Sequence, residues 1–141
     1  MRSTSRVLIG VATAAGLAIV AAAAFWVVRC PCASVPGLVL RGDLHADPVT
    51  DWRFANDVPL CQIQLPMGWR PHSLNVNCMA TPSGDLYLSC SFGERKYWCP
   101  RVQADHPARL RLNGVLYPVI LNRETDPTLL DQAWRARVLK L

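Results

Sequence analysis

The longest single pattern in the chain is apolar and unbroken. Residues 7–28, 22 positions, carry no charged side chain. As a helix they extend roughly 33 Å at about 1.5 Å per residue, which matches a hydrocarbon core of about 30 Å. Arg2 and Arg6 precede the run and Arg29 ends it; Trp26 sits near its far end, where an interfacial aromatic is expected. The pattern predicts one N-terminal membrane helix. A cleaved signal peptide is the rival reading, with residues 22–24, all alanine, as a cleavage region. The run continues through Phe25, Trp26, Val27 and Val28, which a signal peptide does not need, so an uncleaved anchor is favoured. Cys30 follows Arg29, whereas a lipid-attachment cysteine follows a small residue, so lipidation is disfavoured.

Past residue 59 the period changes to two. Cys61, Ile63 and Leu65 alternate with Gln62 and Gln64, which predicts a half-buried strand. Pro66 to Pro71 break it. A second strand over residues 73–79 places Leu74, Val76 and Cys78 on one face and Ser73, Asn75 and Asn77 on the other. A turn over residues 81–84 leads to a third strand at 85–90, with Leu86, Leu88 and Cys90 on its apolar face. Trp98 and Val102 lie four apart, as on one side of a short helix. Residues 109–112 and 115–121 form a hairpin about Asn113-Gly114, a pair suited to the positive φ of a type I′ turn. Pro118 marks an edge position or a bulge. Residues 126–139 close the chain as a helix, with Asp126 as N-cap and Pro127 at the first helical position.

The expected fold is therefore mainly β: an antiparallel sheet of about five or six strands that curls into a small barrel, with a connecting helix and a C-terminal helix. The expected organisation is a membrane anchor over residues 1–29, a linker over 30–36 and a globular domain over 37–141. Residues 42–59 have no clean period and room for one helical turn.

The net charge of +5 changes this picture little. Arg2, Arg6 and Arg29 belong to the anchor, which leaves 12 basic and 10 acidic residues elsewhere. No nucleic-acid surface is implied. Arg2, Arg6 and the terminal amine outweigh Arg29, so the positive-inside rule places the N-terminus in the cytoplasm and the domain outside.

The six cysteines then acquire a meaning. Outside the cytoplasm they pair. Cys61 and Cys78 sit nearly opposite across the first hairpin, and Cys90 with Cys99 is a second pairing. The competing reading treats Cys61, Cys78 and Cys90 as small buried hydrophobes on the apolar face. Cys30-Pro31-Cys32 is a lone CxC without zinc-site spacing, so no metal site is expected. There is no GxSxG, P-loop or HExxH motif, and no cysteine with a base partner.

From residue 37 onward the order of features resembles the flavin- and deazaflavin-binding split β-barrel family, which includes pyridoxine phosphate oxidase-like proteins and deazaflavin-dependent nitroreductases. The matching stretches are Gly84-Asp85-Leu86-Tyr87-Leu88, Arg95-Lys96-Tyr97-Trp98, Ala104-Asp105-His106-Pro107, the hairpin from Leu110 to Val119 and Thr125-Asp126-Pro127. The resemblance implies a homodimer holding FMN or the deazaflavin F420 at its interface, with the phosphate on Arg95 and Lys96 and with a hydride passed to a small acceptor. Arg101 stands where the family commonly has asparagine. His72 is a candidate ligand contact or proton carrier, and Trp98 a candidate cofactor wall. The plainer readings are a solvated start of a helix for Arg95 and Lys96, a merely polar loop for His72 and a core position for Trp98. The outward amides Gln62, Gln64, Asn75 and Asn77 suit an interface or solvent equally. The alternative to an enzyme is a binding or dimerisation module tethered to the bilayer.

Overall fold

The computed structural model describes residues 2–91 and 93–140, leaving aside the side chains of residues 2–5 and 94. Helix α1 spans Arg2–Arg29, and its stretch Arg6–Arg29 is long and apolar enough to cross a membrane. Most of its large apolar side chains are exposed, Leu8 and Leu17 among them, while Trp26 is half-buried. The side chain of Arg2, part of the expected charge bias, lies outside the described residues.

The alternating residues build strands for the reason anticipated, namely burial of one face. β1 (Asp43–Leu44), β2 (Cys61–Met67), β3 (Arg70–Ala80), β4 (Leu86–Ser89), β5 (His106–Leu112) and β6 (Val115–Leu121) form one sheet in the order β1-β6-β5-β2-β3-β4. The run β5-β2-β3-β4 is a Greek key: three consecutive strands, then a fourth that returns beside the first. Cys61, Ile63, Leu65 and Leu110 are fully buried, and they pack with Val76, Cys78 and Trp98. Ala55 and Val58, in and just after the short 3-10 turn Arg53–Asp57, close this core from outside the sheet. Asn113 and Gly114 both take positive φ at the β5–β6 turn.

Three expectations need correction. The sheet is mixed rather than wholly antiparallel, because β1 runs parallel to β6. β1 and β4 are its two edges, and no pairing between them closes a barrel among the described residues. The connecting segment also holds no α-helix; it makes two 3-10 turns, Gly93–Arg95 and Cys99–Arg101. Pro100, at the start of the second turn, has no N–H to give to a helical ladder. The Cys90–Cys99 disulfide further draws the segment back to the end of β4. Trp98 and Val102 still pack against the core.

Helix α2 spans Pro127–Lys140. The Asp126 carboxylate accepts hydrogen bonds from the N–H groups of Thr128 (2.7 Å) and Leu129 (3.3 Å), satisfying two donors that a helix leaves free at its start. At the other end, the Lys140 ammonium donates to the carbonyls of Ala55 (2.8 Å) and Cys78 (2.6 Å). Burial lowers its pKa, with Asp57 acting in the opposite sense.

Candidate functional site

Two polar features of the sheet are built well enough to act. The first is a row of side chains crossing β5, β2 and β3. Arg111, Gln62 and Asn75 stand at paired positions and so share one face. Arg111 Nε donates to Gln62 Oε1 (2.6 Å), and Gln62 Nε2 donates to Asn75 Oδ1 (3.0 Å). Asn75 Nδ2 then donates to the carbonyl of Cys32 (2.9 Å). Arg111 also donates to the carbonyl of Arg41 (2.7 Å). One register further, Gln64 Oε1 accepts from the N–H of Leu40 (2.7 Å).

Gln62, Gln64, Asn75 and Arg111 bind the chain's own backbone between residues 31 and 41, the segment that follows α1. Gly37 extends the attachment by pairing with Ser73 as a two-residue bridge. The segment is thus docked on the sheet from Cys30 onward, and Cys30 and Leu40 are buried. Trp26, in the last turns of α1, donates through Nε1 to the carbonyl of Pro36 (2.9 Å). Helix and domain are joined by a strap held along its length.

The second feature is a groove of about 170 Å³ between β3, β4 and the connecting segment. Asn75, Asn77, Ser89, Ser91, Lys96 and Trp98 are among its lining residues. Lys96 is exposed and supplies positive charge at the rim; Trp98 is buried and forms an apolar wall. The serine hydroxyls and the Asn77 amide add neutral donors, the Asn75 amide being taken up by the strap. Such a set suits a small anion.

Of the residues singled out from the sequence, Lys96 and Trp98 therefore meet in one groove. Arg95 and His72 are not among its lining residues. Arg95 is exposed at the end of a 3-10 turn. His72 is half-buried and meets the Tyr97 ring edge-on, centroids 5.3 Å apart. Burial, and secondarily the charge of Arg70, lowers the His72 pKa. Arg101 lays its guanidinium over the other aromatic partner of this set, 3.9 Å from the Tyr97 centroid, and also donates to the Tyr97 carbonyl.

The cysteines stand as three bridges. Cys30 joins Cys32, Cys61 joins Cys78 and Cys90 joins Cys99. No cysteine among the described residues is left as a free thiol. No group of three or more His, Cys, Asp or Glu is placed to hold a metal ion among them either. A second cavity of about 190 Å³ lies between α2 and β3, with Asn56, Thr81, Ala136 and Lys140 in its wall. Lys140 lies just past the helix end expected from the sequence, and nothing in its sequence neighbourhood marks its inward turn.

Comparison with family models, curated proteins and solved structures returned no match to this chain.

Proposed function

We propose that the chain is a single-pass membrane protein that carries a disulfide-braced binding module on the oxidising side of the bilayer. The observation that carries this reading is the state of the cysteines: all six are bridged, and all lie beyond the apolar helix. Disulfides persist in oxidising compartments and are rare in the cytoplasm. The docked strap supports the module reading, since it fixes the domain to its anchor rather than leaving it on a free linker. The groove beside Lys96 and Trp98 is the ligand site, and its donors fit a small anionic group.

The test uses the scarcity of lysine, which occurs only at positions 96 and 140. A membrane-impermeant amine reagent applied to intact cells should modify Lys96 and spare the N-terminal amine. Labelling of Lys96 only after lysis would contradict the proposed orientation.

A second reading, the flavin- or deazaflavin-dependent oxidoreductase, draws on the meeting of Lys96 and Trp98 in one groove. Ligand pockets that enclose a whole cofactor span about 300–1,000 Å³, and this groove offers about 170 Å³. The residues of one chain fit a phosphate end and do not fit the ring system, which would need walls from a second copy. In that reading the cofactor supplies the hydride chemistry, and Lys96 holds its phosphate. Titration of the full chain with FMN and with F420, followed by fluorescence, tests it. No binding at tens of micromolar sinks the enzyme reading, and an affinity unchanged in Lys96→Ala removes Lys96 from the site.

A further inference from the structure

We propose that the tip of the β2–β3 hairpin, Gly68-Trp69-Arg70, together with the adjoining Tyr97 and Arg101, is a second membrane contact that sits in the headgroup layer of the bilayer α1 crosses. This rests on the anchored reading given above.

Trp69 is 92% exposed, the highest value among the exposed large hydrophobic residues of the described chain. It is held there by structure. The β2–β3 ladder runs to the pair Met67 and Arg70, so only Gly68 and Trp69 form the turn. Gly68 has φ +63°, a conformation that favours glycine. Met67 beside it is buried and roots the turn in the core. An indole fixed in water gains nothing for the fold. At a bilayer interface its apolar body and polar N–H are both satisfied.

The chemistry around the indole fits anionic headgroups. The Arg70 guanidinium lies 5.6 Å from the Trp69 ring centroid. His72, two residues further along β3, touches Tyr97, which is 54% exposed and stacked under Arg101. Two arginine–aromatic pairs therefore lie on neighbouring segments, joined through His72. Basic side chains interleaved with amphipathic rings are the composition that binds an anionic membrane surface.

The strap links this patch to the anchor through a few bonded residues. Trp26 of α1 is bonded to Pro36, and the next residue, Gly37, is paired with Ser73. Trp69 lies four residues from Ser73, about 13 Å at about 3.3 Å per residue. The same short path of bonded residues leads from the interfacial end of α1 to the hairpin tip.

The experiment reconstitutes the full chain in phosphatidylcholine–phosphatidylglycerol vesicles and measures tryptophan quenching by lipids brominated near the headgroup. Wild type should be quenched through Trp26 and Trp69. W26F should remain quenched, and W26F/W69F should lose at least half of that remainder. W26F/R70E should lose the part that depends on phosphatidylglycerol. Both positions 69 and 70 are exposed, and circular dichroism checks that the variants fold. An unquenched W26F, or a W26F/W69F as quenched as W26F, overturns the proposal while leaving the anchor intact. An unquenched wild type overturns the anchored reading and this proposal with it. Cross-linking between copies that W69F abolishes, without lipid quenching, marks the tip as a protein contact and also overturns it.

Discussion

Gly37 and Ser73 exchange both of their backbone hydrogen bonds, the Gly37 N–H to the Ser73 carbonyl at 2.8 Å and the Ser73 N–H to the Gly37 carbonyl at 3.0 Å. The bridge brings the strap so close to itself that a Cβ on Gly37 would lie 2.5 Å from the Cys30 carbonyl carbon and oxygen and 2.7 Å from Pro31 N. Those are backbone atoms and cannot rotate away. Gly37→Ala should lift the strap and cost about 1–3 kcal/mol, as overpacking does. Thermal unfolding in detergent should show a fall of roughly 5 °C or more for a domain of this size. An unchanged midpoint would mean that the strap is not docked.

Ser73 makes the opposite prediction. Its side chain is fully buried, and Oγ has no hydrogen-bond partner. A buried unsatisfied hydroxyl costs about 1–3 kcal/mol. Ser73→Ala should therefore be neutral or raise the unfolding temperature, with the backbone bridge to Gly37 retained. A clear loss of stability would reveal a partner for Oγ.

Arg111 spans two acceptors, Gln62 Oε1 and the Arg41 carbonyl, from separate nitrogens of one guanidinium. A lysine at this position has a single nitrogen and does not reproduce that fork. Arg111→Lys should cost about 1.5–3 kcal/mol, in line with one lost bond to a charged donor. It should also raise proteolysis within residues 31–41. Equal stability and equal protection would contradict the relay.

His72 should make stability depend on pH. Burial lowers its folded pKa below the ordinary value of 6.5, so the unfolded chain binds the proton more readily. Stability then rises with pH between the folded value and 6.5. On acidification from pH 7.5 the unfolding temperature should begin to fall below about 6.5. His72→Phe, which keeps a ring against Tyr97, should flatten that fall. An equal slope in both proteins would remove His72 as its source.

The three bridges should differ in weight. Cys61 and Cys78 are 17 residues apart, and Cys30 and Cys32 only 2. In the chain-entropy model the longer loop contributes roughly 3 kcal/mol and the shorter about half of that. The double variant Cys61→Ala/Cys78→Ala should unfold well before Cys30→Ala/Cys32→Ala. The reverse order in a denaturant titration would contradict this ranking.

How much of this was legible follows from which residues carry a period. β2 and β3 could be read because Cys61, Ile63, Leu65, Val76 and Cys78 are buried on one side. The last hairpin could be read because Asn113-Gly114 is suited to positive φ at both positions. β1 could not, because two exposed residues, Asp43 and Leu44, have no alternation and pair only through their backbone. The connecting segment looked helical from Trp98 and Val102; Pro100 and the Cys90–Cys99 bridge decide otherwise. The strap read as a plain linker, because its attachment uses its own carbonyls and N–H groups, which every sequence possesses. The partners of those groups, Gln62, Gln64 and Asn75, were visible as an unexplained amide face. Lys96 and Trp98 stood together in the sequence and share a groove, while Arg95, beside them, and His72, far off on β3, do not line it.

A membrane-tethered domain braced by disulfides on the oxidising side holds no free thiol. Alkylating thiols in intact cells and lysate, then weighing the chain extracted from the membrane fraction, reads this out. The chain should carry no alkyl groups before reduction and six after it, one for each cysteine. Six alkyl groups without reduction would place the domain in the cytoplasm with free thiols and contradict the account.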